Sequence, residues 1–259
     1  MKLLPFVGDE HLATARAPGA TWLDHVQRWR PHDPDQLVTG DHEVAVLLLA
    51  GTFDLVGGST AWPARGARST PFQGRPMAVF LPKQTPFRVG NGRGEILCVA
   101  ARQPVVRDEA TGRDALAQKP LLPLAGSGKA FDPKSGEWKP AETFPTAPES
   151  LPPRRFERIP VGSAVLERVF APDYKAATLS VDEVVLGANS SLRVGDVPAQ
   201  PRCDELLLFV RSDGGAKVGG QALAAGDHAL LLAAGEIATT SITTGANAAY
   251  VVFAYAGKA

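Results

Sequence analysis

Two stretches of equal length decide the fold: residues 42–58, HEVAVLLLAGTFDLVGG, and residues 204–220, DELLLFVRSDGGAKVGG. Each stretch starts with a glutamate in second place, continues into an apolar strand and ends in a pair of glycines. Glycine pairs supply the positive φ angles that tight hairpins require. The equal spacing indicates a duplicated strand–hairpin–strand unit. The alternative is coincidence, because any β protein contains similar runs.

The sequence around these stretches has the same character. Short apolar runs bounded by Gly, Pro and Asp dominate, and long helical periodicity is almost absent. Residues 78–82, AVFLP, correspond to residues 229–233, ALLLA, and each run is followed by a last hydrophobic strand. The pattern predicts an all-β chain of two β-sandwich (jelly-roll) modules.

Composition limits the possible functions. The chain has 259 residues, of which 44% are hydrophobic and 21% are charged, so we expect a folded protein rather than a disordered one. Its 27 basic and 27 acidic residues balance, which argues against nucleic-acid or membrane partners. Two cysteines and no recognisable signal peptide or membrane span favour a cytoplasmic location.

The chain divides at a segment rich in Pro, Lys and Asp. We expect an N-terminal module over residues 1–103, a linker over residues 104–153 that wraps the surface, and a C-terminal module over residues 154–259.

Each half resembles the cupin fold, in which an H-x-H motif, a glutamate and a later histidine hold one divalent metal inside a barrel. The resemblance places Glu43 and Glu205 at the glutamate position. The histidine positions are then occupied by Gln36, Val38 and Phe87 in the first half, and by Pro198, Gln200 and Ala238 in the second. One carboxylate and one amide do not make a metal site. We therefore expect no metal and no cofactor.

A narrower resemblance concerns residues 67–74, ARSTPFQG, followed by residues 78–82. They look like the R-S-S-x-F-x-G segment and apolar strand in the first module of the bicupin uronate isomerases. Those enzymes are the 5-deoxy-glucuronate isomerase of inositol breakdown and the 5-keto-4-deoxyuronate isomerase of pectin breakdown. The resemblance implies a metal in the second module, where this chain keeps only Glu205 of the ligand set.

Several polar residues are candidates for a ligand site, and each has a structural alternative. Glu205 is the candidate acid or base of a metal-free barrel, or else a surface carboxylate at a strand start. Arg68 is a candidate partner for a sugar carboxylate, or else a brace for the turn at Phe72. The predicted ligand-binding residues are Gln200, Glu205, Arg193, Arg202 and Arg68. The five histidines are scattered along the sequence and show no ligand spacing on a strand.

Two functions remain open on this reasoning. The first is a bicupin that resembles the isomerases that interconvert aldose and ketose forms of uronates. Without the family's metal, it would bind a small sugar acid and need not isomerise it. The second is a non-catalytic bicupin with a structural or metabolite-sensing role. In either case we expect a homodimer with, at most, a small-molecule ligand.

Overall fold

A computed structural model of the chain describes all residues except 33–34, 58–59, 67, 75, 82, 103–128, 133–136, 141–156, 171–178, 198–202 and 258–259. The predicted linker over residues 104–153 therefore lies mostly outside the described residues. Within it the structure describes one hairpin, formed by β10 (Lys129–Asp132) and β11 (Glu137–Pro140).

The first half is built from nine strands. They are β1 (Lys2–Leu4), β2 (Val7–Gly8), β3 (Leu12–Arg16), β4 (Leu23–Trp29), β5 (Asp35–Val38), β6 (His42–Gly57), β7 (Thr60–Arg65), β8 (Ala78–Leu81) and β9 (Pro86–Arg102).

The second half contributes ten strands and one short helix. They are β12 (Glu157–Val161), β13 (Ala164–Phe170), β14 (Leu179–Leu186), β15 (Ser191–Arg193), β16 (Glu205–Ser212), β17 (Lys217–Val218), β18 (Gln221–Ala222), β19 (Gly226–Ala233), α1 (Ala234–Ile237), β20 (Ser241–Thr243) and β21 (Ala249–Ala256).

The two halves share one topology. In the second half, one sheet has the order β1-β19-β16-β21-β14-β13-β12 and a smaller sheet has the order β15-β20-β17-β18. In the first half, the strand order β2-β3-β4-β9-β6-β8 corresponds to the large sheet of the second half. The far end of β6 pairs with β7 and the far end of β9 pairs with β5, and these pairs correspond to the smaller sheet. The expectation of an all-β bicupin is confirmed. The hairpin after the glutamate strand occurs in both halves, and β17 and β18 turn through Gly219 and Gly220 with φ of 55° and 82°.

Glycine allows the long strands of the first half to pass from one sheet to the other. Gly51 on β6 pairs with Gly94 on β9 at φ angles of 93° and 149°. A Cβ on Gly51 would lie 1.9 Å from the Arg93 carbonyl oxygen, so no larger residue fits at this crossing. Because both strands bend at this point, the two sheets face each other and enclose a barrel.

Three hydrophobic clusters hold the fold together. One fills the N-terminal barrel, with Trp29, Phe53 and Phe87 as its largest members. A second fills the C-terminal barrel and includes Phe253 and Tyr255. The third lies between the modules and combines side chains of both. It forms because the outer faces of β6, β9, β16 and β21 also carry apolar residues, so these strands are buried on both sides.

The first strand belongs to the other module's sheet. Lys2–Leu4 fall within residues 1–103, yet β1 pairs antiparallel with β19, and Leu3 lies opposite Leu230. This pairing extends the C-terminal sheet and links the start of the chain to its second half. Among the described residues, no helix is long and apolar enough to cross a membrane.

Two glutamates at equivalent positions join the modules reciprocally. Glu43 lies opposite Ala101, and Glu205 lies opposite Ala256, at the same register of their sheets. The Glu43 carboxylate accepts a hydrogen bond from the Leu179 backbone N–H in the second module. The Glu205 carboxylate accepts hydrogen bonds from three consecutive backbone N–H groups of the first module, those of residues 21–23, at 2.5, 3.0 and 3.0 Å. Each module therefore caps the start of a strand in the other.

Candidate functional site

A cavity of about 290 Å³ opens at the mouth of the N-terminal barrel. Strands β4, β6, β8 and β9 and the turn after β5 supply its walls. Its lining residues are His25, Gln27, Val38, Thr39, Gly40, Asp41, His42, Val44, Val46, Leu81, Phe87 and Cys98. Apolar walls with a few polar groups at one end are typical of small-molecule sites. Val38 and Phe87, which line the cavity, occupy two of the predicted histidine positions, whereas Glu43, at the predicted glutamate position, contacts the second module instead.

A β-bulge brings polar side chains to this mouth. Leu23 pairs with Ala101 and His25 pairs with Ala100, so Asp24 is an extra residue in β4. A bulge changes the direction in which neighbouring side chains project. As a result, Asp24 and His25 contact each other through their side chains instead of pointing to opposite faces of the sheet.

Asp24, His25 and His42 form a compact group, which we call the mouth cluster. Oδ2 of Asp24 lies 2.7 Å from Nδ1 of His25 and 3.4 Å from Nε2 of His42. The two imidazole rings lie 5.6 Å apart, edge to face. The three side chains are only 11%, 16% and 26% exposed, respectively. The cluster is thus partly shielded from water while both imidazoles line the cavity.

The surroundings of the cluster set its charges. Burial lowers the pKa of His25, and this effect exceeds the opposing hydrogen bond from Asp24, so the imidazole is neutral at pH 7. Burial raises the pKa of Asp24, but hydrogen bonds from His25 and Arg102 outweigh it and hold that pKa below the ordinary value. The site therefore presents an ionised carboxylate beside a neutral imidazole.

Cys98 also lines the cavity. Burial raises the pKa of the Cys98 thiol to about 12, so the sulfur stays protonated at neutral pH. Cys98 therefore contributes packing rather than a thiolate.

The structure places Glu205 away from any barrel interior. Its side chain projects with Leu207 and Phe209 toward the other module, while Leu206 and Leu208 face the C-terminal barrel. Both carboxylate oxygens are engaged by backbone N–H groups of residues 21–23. The expectation that Glu205 lines a barrel mouth is therefore corrected: its contacts are those of a link between modules.

Arg68 also serves the contact between modules. Its guanidinium makes a bidentate pair with Glu183 at 2.8 and 3.2 Å, and its Nε donates to the Leu48 carbonyl oxygen. The Tyr250 hydroxyl donates to the same Glu183 carboxylate at 2.7 Å. Arg68 thus pairs with a carboxylate, as its chemistry suggested, but the carboxylate belongs to the protein.

The remaining predicted ligand residues are not brought together by the described part of the chain. Arg193 is exposed and donates from Nε to the Ala238 carbonyl oxygen. Gln200 and Arg202 lie outside the described residues.

The described residues of the second module do not fit the metal that the family resemblance implies there. Glu205 is already bound to backbone N–H groups, and Ala238, at a predicted histidine position, is exposed at the end of α1. The C-terminal barrel is packed with apolar side chains. Near its end, Asp182 pairs with Arg168 at 3.4 Å, and burial together with the Asp182 charge raises the pKa of Tyr255.

Sequence reasoning missed the mouth cluster. The histidines are scattered along the sequence and show no ligand spacing. In the sheet, however, β9 lies between β4 and β6, and this order places His25 and His42 at the same end of the barrel. The one available signal was His42 itself, which directly precedes Glu43 in the decisive stretch.

Comparison with known proteins agrees with this architecture. Residues 25–112 match the model of the KduI/IolB family, and this segment contains His25 and His42. No curated protein sequence matches the chain. The chain is similar to the crystal structure of an IolB-like protein from Salmonella typhimurium LT2, with 14% identity, a TM-score of 0.64 and coverage of 98% of this chain and 93% of that chain.

A second similar structure is an oxalate decarboxylase, with 10% identity, a TM-score of 0.50 and coverage of 98% of this chain and 75% of that chain. At these identities the likeness concerns the fold alone. The chain has the bicupin fold, and its N-terminal module matches the KduI/IolB family of cupins.

Proposed function

We propose that this chain, a cupin whose residues 25–112 match the KduI/IolB family, binds a small sugar acid at the mouth of its N-terminal barrel. The observation that carries the proposal is the cavity of about 290 Å³, which is lined by two imidazoles that contact the Asp24 carboxylate. This volume is at the lower end of the range for small-molecule pockets, which suits a ligand of monosaccharide size.

The chemistry of the mouth suits a sugar acid. Gln27, Thr39 and Asp41 line the cavity and offer donors and acceptors for hydroxyl groups. The Arg16 side chain is 75% exposed and its guanidinium lies 3.7 Å from the Asp24 carboxylate, so it is free to turn toward a sugar carboxylate and bind it in a bidentate contact.

The reaction class that we propose is aldose–ketose isomerisation of the bound acid. Such a reaction moves a proton between adjacent carbons and stabilises an enediolate. The imidazoles and carboxylates at the cavity can exchange protons with a bound sugar, and the polar side chains that line it can donate hydrogen bonds to the developing charge. The resemblance of residues 67–82 to the uronate isomerases supports the same class.

Calorimetric titration with glucuronate and galacturonate tests the proposal, with glucose as the neutral comparison. Val38→Trp places a large side chain at the rim, and Val38 is 60% exposed, so the fold should tolerate it. We expect this variant to weaken uronate binding at least about tenfold, or about 1.4 kcal/mol. Arg193→Ala, in the second module, is the matched control and should leave binding unchanged.

Two results would overturn the proposal. One is the absence of uronate binding at millimolar concentration. The other is binding that Arg193→Ala abolishes and Val38→Trp leaves intact, which would place the ligand in the second module.

A further inference from the structure

The mouth cluster brings three ligand atoms to one point from two strands that are not neighbours. Asp24 and His25 come from β4, His42 comes from the start of β6, and their ligand atoms all lie within 4.8 Å of one another. Oδ2 of Asp24 is the common centre, at 2.7 Å from one imidazole nitrogen and 3.4 Å from the other. Donors bonded to one zinc ion at about 2.0–2.2 Å lie roughly 3–3.5 Å apart, so the observed spacing needs only small adjustments.

The donor set is chemically suited to a divalent transition metal. Two imidazoles and one carboxylate form the ligand set of many catalytic zinc and iron sites, which keep further positions for water or substrate. Both imidazoles line the cavity, so any open position would face the space in which a ligand can enter. None of the three residues holds a ligand position predicted from the cupin resemblance.

Contacts behind the carboxylate support this reading. The Arg102 guanidinium binds Oδ1 of Asp24, while Oδ2 faces the two imidazoles and lies 3.7 Å from the exposed Arg16 guanidinium. Arg102 is itself fixed by a hydrogen bond to the Ala20 carbonyl oxygen at 2.8 Å. Partners of this kind orient ligand side chains in metal sites.

We propose that Asp24, His25 and His42 bind one divalent transition-metal ion, such as zinc, at the mouth of the N-terminal barrel. The inference deepens the proposed function and rests on it, since the ion would lie at the same mouth and would supply the positive charge that stabilises an enediolate. The site is separate from the one that the family resemblance implies in the second module. The competing explanation is a metal-free hydrogen-bonded group that only closes the barrel end.

The test is a metal titration without any sugar. The full chain is freed of metal with a chelator and titrated with Zn²⁺ by calorimetry and with Co²⁺ by visible absorption. We expect one ion per chain and Co²⁺ d–d bands. His42→Gln should weaken binding at least about a hundredfold, because a direct ligand contributes more than the outer partners whose loss costs 10–100-fold.

A matched control uses a histidine outside the cluster. His11 stacks on His32 at 4.4 Å, and His11→Gln removes an imidazole from that exposed pair without touching the mouth. This variant should bind Zn²⁺ as the original chain does. Asp24→Asn serves as the second cluster variant, with circular dichroism to verify that loss of the Arg102 contact has not unfolded the chain.

The outcomes separate the two explanations. Absence of stoichiometric Zn²⁺ binding, or binding that His42→Gln leaves unchanged, would overturn the metal site. Loss of binding in His11→Gln but not in His42→Gln would assign the metal to the exposed pair and would overturn it as well. Because the metal titration contains no sugar, its result is independent of uronate binding. Absence of Zn²⁺ binding would not overturn the uronate proposal, and absence of uronate binding would not overturn the metal site.

Discussion

The two barrels have one topology but differ at their mouths. In the register of the sheets, Gln27 of the first module corresponds to Asp182 of the second, and His25 corresponds to Ser180. The first mouth combines imidazoles with a cavity, whereas the second combines the Asp182–Arg168 ion pair with a tightly packed apolar interior. Two barrels of one topology thus differ in what fills their ends: a cavity with polar groups in the first, and a packed interior with an ion pair in the second.

The outer faces of the barrels, by contrast, have matching roles. Each module presents apolar side chains to the other and contributes one strand-start glutamate to its partner. The two halves are therefore alike on the faces that contact each other and differ at the ends of the strands that surround each barrel mouth.

The largest effect is expected from the buried ion pair between the modules. Arg68→Met leaves the Glu183 carboxylate, which is 5% exposed, without its bidentate partner. Breaking one side of a buried pair costs about 3–5 kcal/mol in the free energy of unfolding. Denaturant unfolding measures this loss, and Arg68→Met combined with Glu183→Gln should recover part of it. A single variant as stable as the original chain would show that the pair does not hold the modules together.

The reciprocal glutamates should have effects of the next size. Glu205→Gln and Glu43→Gln each replace a charged acceptor of backbone N–H groups, which is expected to cost about 1.5–3 kcal/mol of unfolding free energy. Similar losses would support reciprocal capping. If only one of the two variants loses stability, the two glutamates are equivalent in their position in the sheets but not in their contribution to stability.

A second contact between the modules, that of Asp227 with Arg28 and Arg211, can be tested by measuring the free energy of unfolding at acidic pH. Burial tends to raise the pKa of Asp227, but hydrogen bonds from Arg211 and Arg28 outweigh it and hold the pKa below 3.8. A lowered folded-state pKa stabilises the protein above the unfolded pKa, and this contribution is lost as the pH falls through the folded value.

Asp227→Asn should therefore destabilise the chain by about 1.5 kcal/mol at pH 7, and the gap between variant and original should shrink below about pH 3.8. Unfolding measured at a series of pH values checks this. A gap that stays constant into the acid range would contradict the ionised contact.

The smallest loss of stability is expected at the hairpin between β17 and β18 of the second module. Gly220 has φ of 82° with open space around its Cα, so Gly220→Ala adds only backbone strain of about 1 kcal/mol. Gly235 in α1 also has open space but no positive φ, and Gly235→Ala is the control that should not lower the midpoint of thermal unfolding. Equal behaviour of the two variants would contradict the assigned turn.

The fold was predictable because the repeated order of glutamate, apolar strand and glycine hairpin marks equivalent strands in both halves, although β6 has 16 residues and β16 has 8. The direction of Glu205 was not, since both faces of β16 are apolar: Leu206 and Leu208 fill the barrel, while Leu207 and Phe209 contact the other module. Alternation shows which residues share a face, but it does not show which face encloses the barrel.

The candidate site was even less accessible from sequence. His25 and His42 meet only because β9 lies between their strands, and Asp24 joins them only because of a bulge. Neither feature leaves a local pattern in the sequence, and a family motif directs attention to other positions. The pairing of β1 with β19 cannot be predicted from the sequence either, because a strand as short as Lys2-Leu3-Leu4 suits either sheet.

We propose that a sugar acid binds in the first barrel and not in the second. Methyl NMR during a glucuronate titration tests it most directly, since Val44 and Val46 of the first barrel correspond in register to Leu206 and Leu208 of the second. We predict saturable shifts of the Val44 and Val46 methyl signals with the Leu206 and Leu208 signals unmoved. Shifts confined to the leucines, or no shifts at saturating glucuronate, would contradict the account.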